Sequence, residues 1–159
     1  MKKILFILLL AFGLNANGQG SVDEIKLIQD LYGKSKAEVV KEYLGLTDVQ
    51  AAAFQPIYDK YETERKALSQ KKIQILEDYA KNYATLSDAK ATELTSSNLK
   101  YNQDSEKLLA KTHSKLVKAI GGINAAKFVQ LEQYLQVTIR SEIQNAIPFI
   151  GELDKTKVH

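Results

Sequence analysis

Glycine and proline, the residues that most often interrupt helices, are rare beyond residue 20 of this 159-residue chain. No glycine occurs between Gly45 and Gly121, and the only prolines of the sequence are Pro56 and Pro148. In the segments between these glycines and prolines, the apolar residues recur every three or four positions, which is the spacing of one face of a helix. No stretch sustains the two-residue alternation of a half-buried strand. The sequence therefore predicts an all-α protein.

Two short helices are expected before the long ones. In the first, over 22–32, the helically spaced apolar residues are Val22, Ile25, Ile28 and Tyr32. Gly33 follows this segment and favours a helix end. Ser35 and Glu38 then have the spacing of a capping box, in which the serine oxygen accepts an orphan amide and the glutamate reaches back. Gly45 predicts the end of this second helix.

A long helix is expected from Asp48 to about residue 85. Thr47 and Gln50 repeat the capping pattern, and Asp48 complements the positive end of the helix dipole. Its apolar stripe consists of Phe54, Ile57, Tyr58, Tyr61, Leu68, Ile75, Leu76, Tyr79, Tyr83 and Leu86. Pro56 lies inside this stripe and has no amide proton to donate, so we expect a kink or a late helix start there.

A second long helix is expected from the cap at Ser87 to about Ile120, where Gly121 and Gly122 break it. Its apolar face contains Leu94, Tyr101, Leu108, Thr112, Leu116 and Ala119. Asn124 can cap the last helix, which should end before Pro148. The stripe of that helix contains Phe128, Leu131, Leu135, Ile139, Ile143 and Ala146. We therefore expect an elongated antiparallel arrangement of about four helices, two of them long.

The N-terminus has the layout of a secretory signal peptide. Lys2 and Lys3 precede a short apolar run over 4–12, and small and polar residues follow. We expect a signal peptide over 1–18, with cleavage after Gly18 or alternatively after Ala16, a single helical domain over 19–150, and a flexible polar tail over 151–159. The run is too short to span a bilayer, which takes about 20 apolar residues. The sequence thus predicts export to a periplasm or the cell exterior, without stable membrane insertion.

Residue types that carry chemistry are scarce. The chain has no cysteine, and its two histidines, His113 and His159, have no second ligand at helical spacing. No glycine-rich phosphate loop occurs, and the acidic residues alternate with lysines on helix faces. Removal of the signal leaves 20 of the 22 basic residues against 19 acidic ones, without a basic stripe that would track nucleic acid. We expect no enzyme activity, no metal, no cofactor and no nucleic-acid partner.

A partner-binding site is predicted on the long helix. Arg65 and Lys72 interrupt its apolar stripe, and Asn98, Asn102 and Ser105 make the facing helix polar at the same level. One interpretation is that the long side chains lie flat and cover apolar surface while their charges stay in water. The other is a groove open to a partner or a dimer seam. The residues predicted to bind a partner are Phe54, Tyr58, Tyr61, Arg65, Leu68 and Lys72.

One short run and one ordered set of motifs each resemble known groups of proteins. The run Leu46-Thr47-Asp48-Val49-Gln50, with Leu46, Thr47 and Gln50 as its motif positions, resembles the LTxxQ motif of the Spy and CpxP family of exported helical proteins. The chain also resembles a group of small exported bacterial proteins in a set of motifs that follow one another in the same order. These motifs are Phe54-x-Pro56-x-Tyr58-x-x-Tyr61-Glu62, Asp78-Tyr79-Ala80-x-Asn82-Tyr83, Phe128-x-Gln130-x-Glu132 and Ile147-Pro148. The first resemblance implies four helices, often dimerised into a cradle, and a role as an ATP-independent periplasmic chaperone or an inhibitor of envelope-stress sensor kinases.

Two functions remain open at this point. The first is an exported chaperone-like protein that binds partly unfolded envelope proteins without ATP. A homodimer is an option for it, because an open helical chain leaves apolar surface exposed to solvent. The alternative is a regulatory or structural envelope protein with one specific partner, such as a sensor domain. Both need an exposed helical surface.

Overall fold

The structure is a computed structural model that describes residues 33–148 and residue 150. Over these residues the chain forms α-helices joined by short connections. The helices are α1 (Lys36–Leu44), α2 (Asp48–Asn82), α3 (Asp88–Ile120) and α4 (Gly122–Ala146), and a 3-10 turn spans Tyr83–Thr85. The predicted all-α fold with two long antiparallel helices is confirmed. The predicted signal peptide (1–18), helix 22–32 and tail (151–159) lie outside the described residues.

Both predicted capping boxes are present. Ser35 Oγ accepts the amide proton of Glu38, whose carboxylate accepts from the Ser35 amide at 2.8 Å. Thr47 and Gln50 make the same reciprocal pair at the start of α2, each bond measuring 3.2–3.3 Å. Gly45 ends α1 with a left-handed φ of 58°, a conformation in which a side chain would be strained. These ends therefore follow from local chemistry alone.

Helix α2 begins at Asp48 and continues through Pro56 to Asn82, so the predicted late start is wrong. Its 35 residues make a helix about 50 Å long at 1.5 Å per residue. Pro56 removes one hydrogen bond to the Ala52 carbonyl, but the packing of Phe54 and Tyr58 on either side holds the helix in place.

Replacing exposed Pro56 by alanine should therefore raise the free energy of unfolding by about 1–2 kcal/mol, because the missing hydrogen bond is restored and the ring no longer crowds the preceding turn. Urea unfolding followed by circular dichroism measures the change. Lys66→Ala, at an exposed site of the same helix, is the matched control and should stay within about 0.5 kcal/mol. A P56A protein no more stable than the wild type would show that the proline costs this helix nothing.

The start of α3 agrees with its prediction, whereas the start of α4 differs. Ser87 caps α3 as expected, its hydroxyl accepting from the Lys90 amide. Gly121, with φ at 84°, is both the C-cap of α3 and the N-cap of α4. The predicted cap at Asn124 is wrong, because Asn124 already lies inside α4 and its side-chain amide donates to the Ile120 carbonyl at 3.2 Å. The positive φ that glycine tolerates lets the chain reverse earlier than a side-chain cap would.

Cross-helix hydrogen bonds define the topology. Gln50 Nε2 on α2 donates to the Ile120 carbonyl at the end of α3, so these two helices are antiparallel. Tyr79 Oη donates to the Pro148 carbonyl at 2.9 Å, which brings the end of α4 to the far end of α2. The short helix α1 runs antiparallel to α4, since Lys127 Nζ donates to the carbonyl of Leu44, the last residue of α1. Helices α2, α3 and α4 thus run up, down and up, with α1 against the first half of α4.

The hydrophobic core lies at one end of this bundle. Its buried members are Val40, Leu44, Phe54, Tyr58, Tyr61, Leu108, Leu109, Leu116, Ile120, Ala125 and Phe128. We call this the core end, and we call α2 beyond Glu62, α3 before Leu108 and α4 beyond Glu132 the distal half. Leu94 and Leu135 are the buried apolar residues of the distal half among those described. None of the helices over residues 33–148 has the length and hydropathy of a membrane span.

Candidate partner-binding surface

Three of the predicted partner-binding residues belong to the core. Phe54, Tyr58 and Tyr61 are buried, and Phe128 of α4 packs edge-on against all three rings, with centroids 5.8, 6.3 and 5.4 Å away. Phe54 and Tyr58 stack on each other at 5.3 Å. Helices α4 and α1 therefore cover these three side chains, and partner binding by them stays a prediction.

The other three predicted residues are half-buried. Leu68 packs against the core. Arg65 forms two hydrogen bonds with the Glu62 carboxylate, at 3.0 and 3.1 Å. Lys72 donates to Asn98 on α3 and lies 5.8 Å from the centre of the Tyr101 ring. The polar level predicted in the middle of the long helices thus exists: Lys72 reaches across to α3, whereas Arg65 pairs with Glu62 within α2.

The motif residues have structural roles. Thr47 and Gln50 cap α2, and Gln50 also tethers α3 through the Ile120 carbonyl at 3.4 Å. Leu46 is half-buried against the core. The turn therefore fixes the angle between α1, α2 and the end of α3, which explains these residue types without any ligand.

A buried charge network separates the core end from the distal half. Lys36 Nζ on α1 lies 2.7 Å from the carboxylate of Glu62 on α2 and 2.7 Å from that of Glu132 on α4. Tyr61 Oη donates to Glu132 Oε2 at 2.8 Å, and Lys36 donates to the same oxygen at 2.9 Å. Glu132 Oε1 contacts the Lys36 ammonium without hydrogen-bond geometry, so that contact is purely electrostatic. With Arg65, the network joins two cations to two carboxylates.

Sequence reasoning missed the role of Glu132, which is 1% exposed. A signal was present, because Glu132 falls four residues after Phe128 and three before Leu135 on the apolar stripe of α4. An acidic residue on a stripe of this kind indicates a buried partner. Its partner could not be identified from sequence, since Lys36 is 96 residues away.

Burial and charge shift the pKa values of this network in opposite directions. Burial acts to raise the pKa of Glu62, but the hydrogen bonds from Arg65 and the charge of Lys36 outweigh it and lower that pKa. Burial raises the pKa of Tyr61 and Tyr58 far above the usual range, and the nearby carboxylates of Glu132 and Glu62 add to the effect. Both tyrosines are therefore neutral at any physiological pH, and Tyr61 can act as the donor to Glu132.

The lowered pKa of Glu62 predicts a loss of stability in acid. Its pKa is lower in the folded than in the unfolded state, so the carboxylate stabilises the fold above its usual pKa of about 4.5 and loses this contribution as the pH falls below that value. The free energy of unfolding of Glu62→Gln, measured in urea between pH 6 and 3, should fall less steeply than that of the wild type. Glu106→Gln, at an exposed site, should keep the wild-type slope. Equal slopes for E62Q and the wild type would contradict this assignment.

Two concave spaces flank the residues described above. A cavity between α2 and α3, lined by Ile57, Tyr61, Leu108 and Thr112 among others, has a volume of about 10 Å³, which is at most one water molecule. A shallow open recess of about 350 Å³ lies against Val39 and Tyr43 of α1. Within residues 33–148 no group of three histidine or acidic side chains is placed to hold a metal ion.

A group of neighbouring exposed side chains, most of them apolar or aromatic, lies on the outer side of α4 and α1. Tyr134 and Val137 are 59% and 64% exposed, and they share a helix face with Gln130, four residues before Tyr134. Tyr43 on α1 is 42% exposed and donates from its hydroxyl to Gln130 at 3.2 Å. We call Tyr43, Gln130, Tyr134 and Val137 the exposed row. Lys127 lies beside it, 5.2 Å from the centre of the Tyr43 ring.

No protein-family model, no curated protein and no solved structure matches this chain. The resemblance to the Spy and CpxP family therefore stays a prediction based on the motif residues.

Proposed function

We propose that this protein is an exported, ATP-independent chaperone-like protein that binds partly unfolded envelope proteins. The observation that carries the proposal is the exposed row, in which two tyrosines, a valine and a glutamine stand on one outer face. Support for export comes from the N-terminal pattern of Lys2 and Lys3 followed by a short apolar run.

The chemistry of the exposed row suits a variable polypeptide. Tyrosine rings offer apolar area with a hydroxyl that can donate or accept, and they lose little conformational entropy on binding. Gln130 adds both a donor and an acceptor. Unfolded chains present apolar side chains beside unpaired peptide groups, and this row can contact both.

The row is also held rigidly. Phe128, Glu132 and Leu135 anchor the opposite face of α4, and all three are buried. The hydrogen bond from Tyr43 to Gln130 ties α1 to the same surface. A partner therefore meets a preformed face and does not have to order a loop.

Light scattering of a chemically denatured client on dilution tests this proposal. The wild-type protein, without ATP, should suppress aggregation of several unrelated clients at near-stoichiometric ratios. Tyr134→Ser combined with Val137→Ser should lose most of that suppression, since both side chains supply exposed apolar area. Leu99→Ser, which removes a 55% exposed leucine from α3, is the matched control and should behave as the wild type.

Each other outcome has a defined meaning. Full suppression by the Y134S/V137S protein would place the client surface elsewhere. No suppression by the wild type on any client would reject the chaperone role and favour the dedicated regulatory partner. The envelope proteins captured by the wild-type and by the Y134S/V137S protein would then be compared. A homodimer through the exposed row would appear as a sedimenting species that the double substitution dissociates.

A further inference from the structure

The bundle contains a groove that is filled at one end only. Helices α2 and α4 both pack along α3, whereas their own backbones come close at few points. At the core end α1 lies in the gap, with Val40 and Leu44 in the same cluster as Phe54 and Phe128. Its first residue, Lys36, bridges Glu62 on α2 and Glu132 on α4, so α1 occupies the gap only up to this level.

Beyond Lys36 the gap continues into the distal half. The hydrogen bond between Tyr79 Oη and the Pro148 carbonyl closes its far end. We call the space between these two points the distal groove. On α2 its side is marked by Lys72 and, one turn further, half-buried Leu76. On α4 it is marked by exposed Arg140, whose charge acts on Lys72, and by half-buried Ile139 and Ile143.

The distal groove carries positive charge without a matching acid. Lys72 donates to the neutral Asn98, and neither Lys72 nor Arg140 forms an ion pair with a carboxylate among the residues that the structure describes. Partial burial lowers the pKa of Lys72, and the Arg140 charge lowers it further. An occupant that combines apolar side chains with acidic ones would complement this groove in both respects.

We propose that residues 22–32 of this chain form a helix that docks in the distal groove. These residues lie outside the described part of the chain, and their sequence predicts an amphipathic helix with Ile25 and Ile28 on its apolar face. The segment carries the acidic residues Asp23, Glu24 and Asp30 against the single basic residue Lys26. Both requirements of the groove are therefore met by the residues that immediately precede α1.

Length and direction agree with this occupant. From Glu132 to its end at Ala146, α4 rises about 21 Å, and a helix over 22–32 would rise about 16 Å. Gly33, with φ at 63°, allows a break between that helix and α1. Because α1 starts at the level of Glu132 and runs toward the core end, the preceding helix would approach along the distal groove. Docking would then extend the core from one half of the bundle to both.

Cysteine cross-linking tests this placement, because the chain contains no cysteine of its own. Variants expressed from the full 159-residue sequence would carry Ile28→Cys with Ile139→Cys, or Ile25→Cys with Leu76→Cys. A short bis-maleimide should link each pair within one chain, as detected by mass spectrometry of the digested monomer. Ile28→Cys with Val49→Cys, at the core end, is the matched control and should not link. Cross-linked dimers would assign the groove to a second copy, and the absence of any link in both test pairs would overturn the proposal.

Hydrogen exchange provides a second test that needs no new cross-link. In the full chain, Ile25→Asp with Ile28→Asp should speed amide exchange in the α4 segment 133–146 by about tenfold or more, because undocking removes apolar cover from that segment. The α3 segment 108–120, which packs in the core end, should keep its wild-type rate. Unchanged exchange in both segments would show that residues 22–32 do not cover the groove.

Discussion

Replacing Lys36 by methionine should lower the free energy of unfolding by about 3–5 kcal/mol, because it leaves the buried Glu132 carboxylate without its cation. The Lys36 side chain is 10% exposed and joins three helices through two carboxylates. Urea unfolding of the K36M protein at pH 7 measures the loss. Lys36 holds the start of α1 to α2 and α4, whereas Val40 and Leu44 hold the rest of α1 in the core. The start of α1 should therefore loosen before the rest of the bundle unfolds.

Lys34 provides the matched control for this substitution. It lies two residues before Lys36 and pairs with Glu42 at 2.6 Å, but both partners are largely exposed. Lys34→Met should therefore cost no more than about 1 kcal/mol. Adding Glu132→Gln to K36M should recover part of the loss, because the unpaired buried charge is removed. Equal effects of K34M and K36M would contradict the view that burial makes this network strong.

Phe128→Ala should cost about 3–5 kcal/mol, since it removes a fully buried ring and leaves a cavity among three others. Phe128 stands where α1, α2 and α4 meet, and its edge contacts with Phe54, Tyr58 and Tyr61 add to its buried area. The free energy of unfolding in urea and the tyrosine signal in near-ultraviolet circular dichroism should both fall.

Tyr134→Ala tests the same helix and the same kind of residue without burial. It should change the free energy of unfolding by about 0.5 kcal/mol or less, because the Tyr134 ring already faces solvent. The pair of substitutions thus separates the two faces of α4, the buried one that builds the core and the exposed one that we assign to partners. A cost below about 1 kcal/mol for F128A would mean that the bundle can collapse around the missing ring.

Much of the helical framework could be predicted from local sequence. The capping boxes at Ser35 and Thr47, the ends at Gly45 and Pro148 and the break at Gly121 all depend on atoms within a few residues of one another. The failures are equally physical. Pro56 does not delay α2, because packing on either side outweighs a lost hydrogen bond, and Asn124 does not cap α4, because Gly121 has already turned the chain.

The candidate site was less predictable. The stripe that contains Phe54, Tyr58 and Tyr61 would look the same in a sequence whether another helix of the same chain or a partner covered it, since burial needs only apolar area. The exposed row gave no strong signal either, because Tyr134 and Val137 stand among polar residues on their helix face. The surface assigned to partners therefore moves from α2 to α4.

By itself, the sequence determined the capped starts of α1, α2 and α3 and the glycine ends of α1 and α3, because caps and glycine conformations act over a few residues. It also determined that each long helix has an apolar face. Only the tertiary structure decided which faces meet, that Phe128 fills the space between α1 and α2, and that Lys36 neutralises Glu132 across 96 residues of chain. Such pairings depend on distances between remote segments, and helical periodicity specifies a face without specifying its neighbour.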